Sequence, residues 1–301
     1  MDAVADIGNI EDSYEVVGVL DNDGGFGDIY VAHDRRSRAK VAIKTQKSWR
    51  IGPKSLHISD GRRLVEVESR HMMTLRGIEA IPRLLATGTY RGNRCLVMEF
   101  VKGRQLRNVV EKRPVKDLSV VASIIGQLCE ILHDVHARDL VHCDLKPENV
   151  IVEPDGRLRL IDMGQAVRAN KETSDGFGTT GYAAPEQLEA NQDGLTSRAD
   201  IFALGAMLLE MTVMQLPYGG PEERVEQGHP VLPAERIATI PSEFRDLALR
   251  MVAWEAEDRP ANVREVFEAI RPHLPKTRSD RPLKPLSPDP TEYYRSRPPR
   301  L

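Results

Sequence analysis

With 301 residues and 41% apolar content, the chain has room for one large domain or two lobes and enough apolar side chains for an ordinary core. A formal net charge of -3 supplies no global basic field, so charge gives no reason to expect a nucleic-acid or membrane partner. Three cysteines, Cys95, Cys129 and Cys143, are odd in number and lack metal-ligand spacing, which fits a reducing compartment and a cytoplasmic location. Residues 1–6 are acidic rather than basic and then apolar, so no secretory leader is expected. The most apolar long stretch, 201–214, is too short to span a bilayer and carries Glu210, which predicts a buried helix.

Residues 14–44 alternate in the manner of three antiparallel strands. Between the first two lies Asn22-Asp23-Gly24-Gly25-Phe26-Gly27, where glycines let backbone amides approach phosphate oxygens; hairpin turns use the same residues. Leu64, Val65, Met72 and Leu75 then recur at helical spacing. Two further strands are expected near 84–88 and 94–100. From about 104 the texture becomes helical, at 106–110 and 120–136, which divides a sheet-rich first third from the remainder.

The octet His142-Cys143-Asp144-Leu145-Lys146-Pro147-Glu148-Asn149 lies between apolar runs, and Pro147 stops any helix there. Asp144 can accept the proton of an attacking hydroxyl, Lys146 can neutralise charge on a phosphoryl group, and Asn149 offers an oxygen to a divalent metal. A plain surface turn is the alternative reading. Downstream, residues 157–161 form a strand that delivers Asp162 to the turn at Met163-Gly164, aiming a carboxylate at a metal; an ordinary strand corner would look the same. Residues 165–183 are polar, glycine-bearing and expected to be flexible. Asp200 opens the apolar helix, where an aspartate caps backbone N–H groups. Amphipathic helices are expected at 242–255 and 261–271. Beyond 272, Pro, Arg and Lys dominate and apolar periodicity stops, which predicts a disordered tail over 273–301.

These motifs resemble those of the eukaryotic-like serine/threonine protein kinases. The octet resembles their catalytic loop, with Cys143 where most members carry Arg. Val41-Ala42-Ile43-Lys44 resembles the strand whose lysine holds the α- and β-phosphates, downstream of the glycine loop in which Asn22 replaces the first glycine. Glu68 resembles the helix glutamate that pairs with that lysine, with Glu66 as competitor. Met98-Glu99-Phe100-Val101 resembles the hinge, where adenine would bond to backbone groups of Glu99 and Val101 beside Met98. Ile29 and Ala42 would cover an adenine face, or serve as plain sheet core. Asp162-Met163-Gly164 resembles the Asp-Phe-Gly motif, and Ala184-Pro185-Glu186 the Ala-Pro-Glu motif, with Arg259 as ion-pair partner of Glu186. The family's Asp at position 200 also ties down the catalytic loop.

The resemblance implies an α+β, two-lobed kinase fold. Residues 1–13 would be an extension, 14–100 an antiparallel sheet plus one helix, 101–272 a mostly helical lobe and 273–301 the tail. It implies ATP and Mg²⁺ as cofactors, with Asn149 and Asp162 as metal ligands and Asp144 as base. Thr179 would bridge Asp144 and Lys146, which points to Ser or Thr of a protein substrate as acceptor. Thr173, Ser174, Thr179 and Thr180 are candidate autophosphorylation positions. Cys143 cannot receive a loop phosphate as Arg would, so activity without loop phosphorylation is expected. The alternatives are a pseudokinase scaffold that binds nucleotide or a partner, and a small-molecule phosphotransferase of related fold.

Overall fold

The computed structural model describes residues 4–21, 28–46, 49–50, 58–59, 61–110, 113–173, 176–188, 193–219 and 230–301. The chain divides into two compact units, 1–101 and 102–301.

In the first unit the strands are β1 (Asp6–Asn9), β2 (Tyr14–Asp21), β3 (Ile29–Asp34), β4 (Lys40–Thr45), β5 (Trp49–Arg50), β6 (Ile58–Ser59), β7 (Leu84–Tyr90) and β8 (Asn93–Glu99). Helix α1 (Gly61–Thr74) lies between β6 and β7. Six strands form one sheet in the order β1-β7-β8-β4-β3-β2, and β5 pairs with β6. The expected antiparallel sheet is present, with one addition: β1 runs parallel to β7 at its edge. Residues 6–9, placed in an N-terminal extension, therefore belong to the sheet. Ile10, fully buried, joins Tyr14, Tyr30, Val41, Ile43, Tyr90 and Val97 in the core on one sheet face. A four-residue strand with a single inward apolar neighbour has too little periodicity to be read locally. Side chains alternate between sheet faces, so Ala42 and Lys44 leave on the face opposite Val41 and Ile43. Val65 and Met72 are buried apolar residues of α1, and Leu75, buried as well, follows its last residue.

The second unit contains β9 (Arg104–Gln105), α2 (Leu106–Val109), α3 (Leu118–His136), β10 (Leu140–Val141), β11 (Val150–Val152), β12 (Leu158–Leu160), β13 (Val167–Arg168), α4 (Ser197–Val213), α5 (Ala234–Ile237), α6 (Ser242–Met251), α7 (Val263–Ile270) and α8 (Glu292–Ser296). Asp117 caps α3 by accepting the Ser119 N–H, Thr196 caps α4 through Arg198, and Asn262 caps α7 through Arg264 and Glu265. Helix α3 is the one helix among the described residues long and apolar enough to cross a membrane, and most of it is covered by protein. Helix α4 is apolar on all sides because it too is enclosed. Strands β11 and β12 pair antiparallel with Val150 opposite Leu160, and β9 flanks β11.

The expectation of a disordered tail is wrong. Residues 275–301 fold onto the second unit, with Tyr293 and Tyr294 buried and Arg300 paired to Glu130 and Asp134. The segment lacks helical periodicity, but two adjacent aromatics supply large buried area, and its prolines limit the entropy lost on ordering. The segment 165–183 is likewise more fixed than expected over its last residues. There Tyr182 and Ala183 donate to the Thr179 carbonyl, and Gln187 donates to that of Cys143.

Candidate active site

In the first unit, β4 and α1 bring two opposite charges together. Lys44 Nζ donates to Glu68 Oε1 at 2.9 Å, with Glu68 only 1% exposed. The second carboxylate oxygen of Glu68 accepts from Gln46 Nε2 at 3.0 Å, and Gln46 is itself buried. A buried ion pair is tolerated only when its remaining lone pairs are satisfied, and Gln46 satisfies one of them. Glu66, the competing residue of α1, is exposed. Ala42 faces Met98 across β4 and β8, and Ile29 faces Lys44 across β3 and β4; all three apolar side chains are half-buried. Glu99 closes β8, its N–H donating to the Arg83 carbonyl at 2.9 Å, and half-buried Val101 follows two residues later. Asn22, Gly24, Gly25, Phe26 and Gly27 lie outside the described residues, as does Ser174.

In the second unit the loop between β10 and β11 holds the densest polar arrangement. Thr179 Oγ1 donates to Asp144 Oδ1 at 2.5 Å and accepts from Lys146 Nζ at 2.7 Å. Lys146 also pairs with Asp144 Oδ2 at 3.0 Å. Asn149 Nδ2 donates to the Asp144 carbonyl at 2.8 Å and to Asp144 Oδ2 at 3.0 Å, which turns the amide oxygen away from Asp144. The pairing of β11 with β12 sets Asn149 beside the residues that follow Leu160: Ile161 N–H donates to the Asn149 carbonyl at 2.8 Å. Asp162 comes next, with φ of 67°, and its Oδ1 accepts the Gly164 N–H at 3.0 Å. An aspartate held in the left-handed region costs about 1–3 kcal/mol, and such strain concentrates at functional sites.

The loop is fixed from behind by α4. Asp200, fully buried, accepts the backbone N–H groups of His142 and Cys143, both at 2.9 Å, and pairs with His136 Nε2 at 2.8 Å. Burial opposes its charge, but the His136 contact and the donated N–H of His142 hold its carboxyl below the ordinary aspartate value. Cys143 is also left-handed, with φ of 63°, and its side chain is buried. Burial, and then the carboxylates of Asp200 and Asp144, push its thiol well above the ordinary cysteine value, so it remains protonated and is no nucleophile. Met163 is buried as well, as an apolar substitute for Phe would be.

A family model of the protein kinase domain matches residues 15–270. The chain belongs to the protein kinase domain family. Similar proteins include serine/threonine-protein kinase pkn2 of Myxococcus xanthus, 28% identical over 266 residues that cover 82% of this chain and 31% of that protein. The probable serine/threonine-protein kinase pknA2 of Bifidobacterium longum is 30% identical over 216 residues, 69% of this chain and 27% of that one. Serine/threonine-protein kinase PknB of Mycolicibacterium smegmatis is 26% identical over 293 residues, 90% of this chain and 46% of that one. The kinase chain thus spans less than half the length of each of these three relatives.

Two features of the kinase domain were not read from its sequence. Gln46 gave no signal, because a glutamine two residues past a strand lysine is ordinary. Arg107 on α2 gathers three partners: Glu148 Oε1 at 2.7 Å, Glu210 Oε1 at 2.6 Å and the Tyr182 hydroxyl at 2.5 Å, while that hydroxyl donates to Glu210 Oε2 at 2.5 Å. These four residues come from four separate segments, and only folding collects them. The expected Arg259–Glu186 pair is present as a two-point contact of 2.7 and 2.9 Å, with the guanidinium side chain fully buried.

Proposed function

We propose that this kinase domain transfers the γ-phosphoryl group of ATP to Ser or Thr hydroxyls of protein substrates, with Asp144 as the base. The observation that carries the reading is the triangle of Asp144, Lys146 and Thr179. It aims a carboxylate and an ammonium at one locus through a hydroxyl of the chain itself. An acceptor hydroxyl entering there loses its proton to Asp144, while Lys146 balances the charge that develops on the phosphoryl oxygens. Lys44, held by Glu68 and Gln46, carries the ammonium for the α- and β-phosphates.

The residues fit magnesium. Asn149 presents an amide oxygen and Asp162 a carboxylate, both hard oxygen donors, and the Asn149 amide is oriented by its two bonds to Asp144. When bound, the metal would supply positive charge against the phosphate oxygens. Adenine would bond to backbone groups of Glu99 and Val101 beside Met98, Ile29 and Ala42, with the phosphates in the Asn22–Gly27 loop. The site residues, the cytoplasmic location and autophosphorylation at Thr173, Ser174, Thr179 or Thr180 belong to the same proposal; Thr180 is exposed.

The test is transfer of label from radioactive ATP to protein with and without magnesium, with Asp144→Asn as control. Wild-type labelling that falls roughly 10²- to 10⁴-fold in the variant supports the reading. Equal background labelling in both overturns it in favour of a scaffold. Labelling of metabolites but not proteins would make the chain a small-molecule phosphotransferase.

A further inference from the structure

Glu130 stands on α3, a largely buried helix of the second unit, with its side chain 1% exposed. Four donors reach its carboxylate, and all belong to the tail. The Tyr294 hydroxyl and Arg300 N–H go to Oε1 at 3.2 and 2.9 Å, and the Tyr293 hydroxyl and Arg300 Nε go to Oε2 at 3.1 and 3.1 Å. The tail thus both covers this carboxylate and supplies the donors that a covered carboxylate requires, so its burial is compensated within one contact.

The neighbouring positions are shaped for the same occupant. Gly126 lies inside α3, where glycine weakens a helix, and a Cβ there would come within 2.9 Å of the Tyr294 hydroxyl oxygen. Gly156, in the turn between β11 and β12, would drive a Cβ into the Asp289 carbonyl oxygen. Gln127 Nε2 donates to the carbonyls of Gly156 and Pro290, at 3.0 and 3.2 Å, while its Oε1 accepts the Leu158 N–H at 2.9 Å. Arg300 Nη1 pairs with Asp134 at 3.0 Å, and Arg104 Nη1 donates to the Ser287 carbonyl at 2.6 Å.

We propose that the outer face of α3, with the β11–β12 turn and Arg104, is a peptide-binding site, and that residues 287–301 of this same chain are its occupant. The site takes a peptide bearing two adjacent tyrosines followed by an arginine six residues after the second. Tyrosine hydroxyls and a guanidinium are the donors that a recessed carboxylate requires. Occupancy has a consequence for the catalytic loop. The β11–β12 turn that the peptide grips joins the strand following Asn149 to the strand preceding Asp162, so a seated peptide braces the spacing of these two residues.

The binding test uses a fluorescent peptide of residues 285–301 and the full chain carrying Tyr294→Ala with Arg300→Ala. Saturable binding to this variant is expected, with wild type at least about tenfold weaker because its own segment fills the site. Adding Glu130→Leu should abolish binding. Equal binding to wild type and variant, or none to a folded variant, would overturn the site. Should the double variant fail to fold, Arg300→Ala alone decides by hydrogen exchange. Amides of 287–301 should exchange at least about tenfold faster while those of α4 do not change, and an unchanged tail refutes the proposal. The bracing of Asn149 and Asp162 rests on the phosphotransfer reading and is read as a raised magnesium requirement of the Arg300→Ala kinase. A wild type without transfer would sink that reading and leave the binding result intact.

Discussion

The carboxylate of Asp200 accepts the N–H of Cys143 at 2.9 Å across 57 residues of sequence, and it does so where Cys143 adopts a left-handed backbone. The position before the catalytic aspartate is thus held through its backbone, while the thiol packs inside. This is how the loop keeps its shape with a cysteine in place of the more usual arginine.

Asp200→Ala leaves the N–H groups of His142 and Cys143 without their acceptor. A loss of about 1–3 kcal/mol for each buried donor left unsatisfied is expected in urea unfolding. The pH dependence has a definite sign. The carboxyl is lowered in the folded state, so its contribution is fully present above the ordinary aspartate value of 3.8 and is lost as pH falls below it. Wild type should therefore lose this stabilisation in acid, and Asp200→Ala should show a flatter acid limb.

Removal of the Thr179 hydroxyl separates the roles of the loop hydroxyls. Thr179→Ala takes away the link between Lys146 and Asp144, and turnover should fall roughly 10²-fold with little change in melting temperature. Thr173→Ala and Thr180→Ala should retain turnover, because no buried arginine precedes Asp144 to receive a phosphate. Loss of activity in all three single variants would contradict independence from loop phosphorylation.

Gln46→Leu leaves one oxygen of the buried Glu68 carboxylate without its donor. We expect a loss of about 1.5–3 kcal/mol, the range for a hydrogen bond to a charged group, and a raised KM for ATP because Lys44 is less well held. Thermal melts and initial-rate kinetics measure the two effects separately. A stability loss with an unchanged KM would assign Gln46 to packing alone.

All three thiols should resist alkylation in the native chain at pH 8. Burial pushes Cys95 up to about 12 and raises Cys129 and Cys143 above the ordinary range, so little thiolate exists and none is accessible. Mass spectrometry should find three labels only after denaturation. Native labelling of Cys143 would show that its side chain leaves the interior.

The residues proposed for chemistry were legible because their signals are local. Asp144, Lys146 and Asn149 fall within one octet, and Lys44 and Asp162 each sit in a short strand motif whose composition fixes its geometry. The register of β11 against β12 then brings Asn149 beside the strand that leads to Asp162. The Arg259–Glu186 pair was anticipated from resemblance, while Gln46 and Arg107 were not, since neither differs from an ordinary polar surface residue until its partners are known.

By itself the sequence determined the two classes of architecture, sheet first and helices after, and the identity of the acid, amide and ammonium groups at each motif. Periodicity and turn chemistry act over a few residues, and those distances are visible in a string. Only the tertiary structure decided that β1 joins the sheet, that Gln46 backs the Lys44–Glu68 pair, and that the tail covers α3. Glu130 and Tyr294 meet across 164 residues of chain. Their attraction depends on a low-dielectric pocket that exists only once both segments are folded.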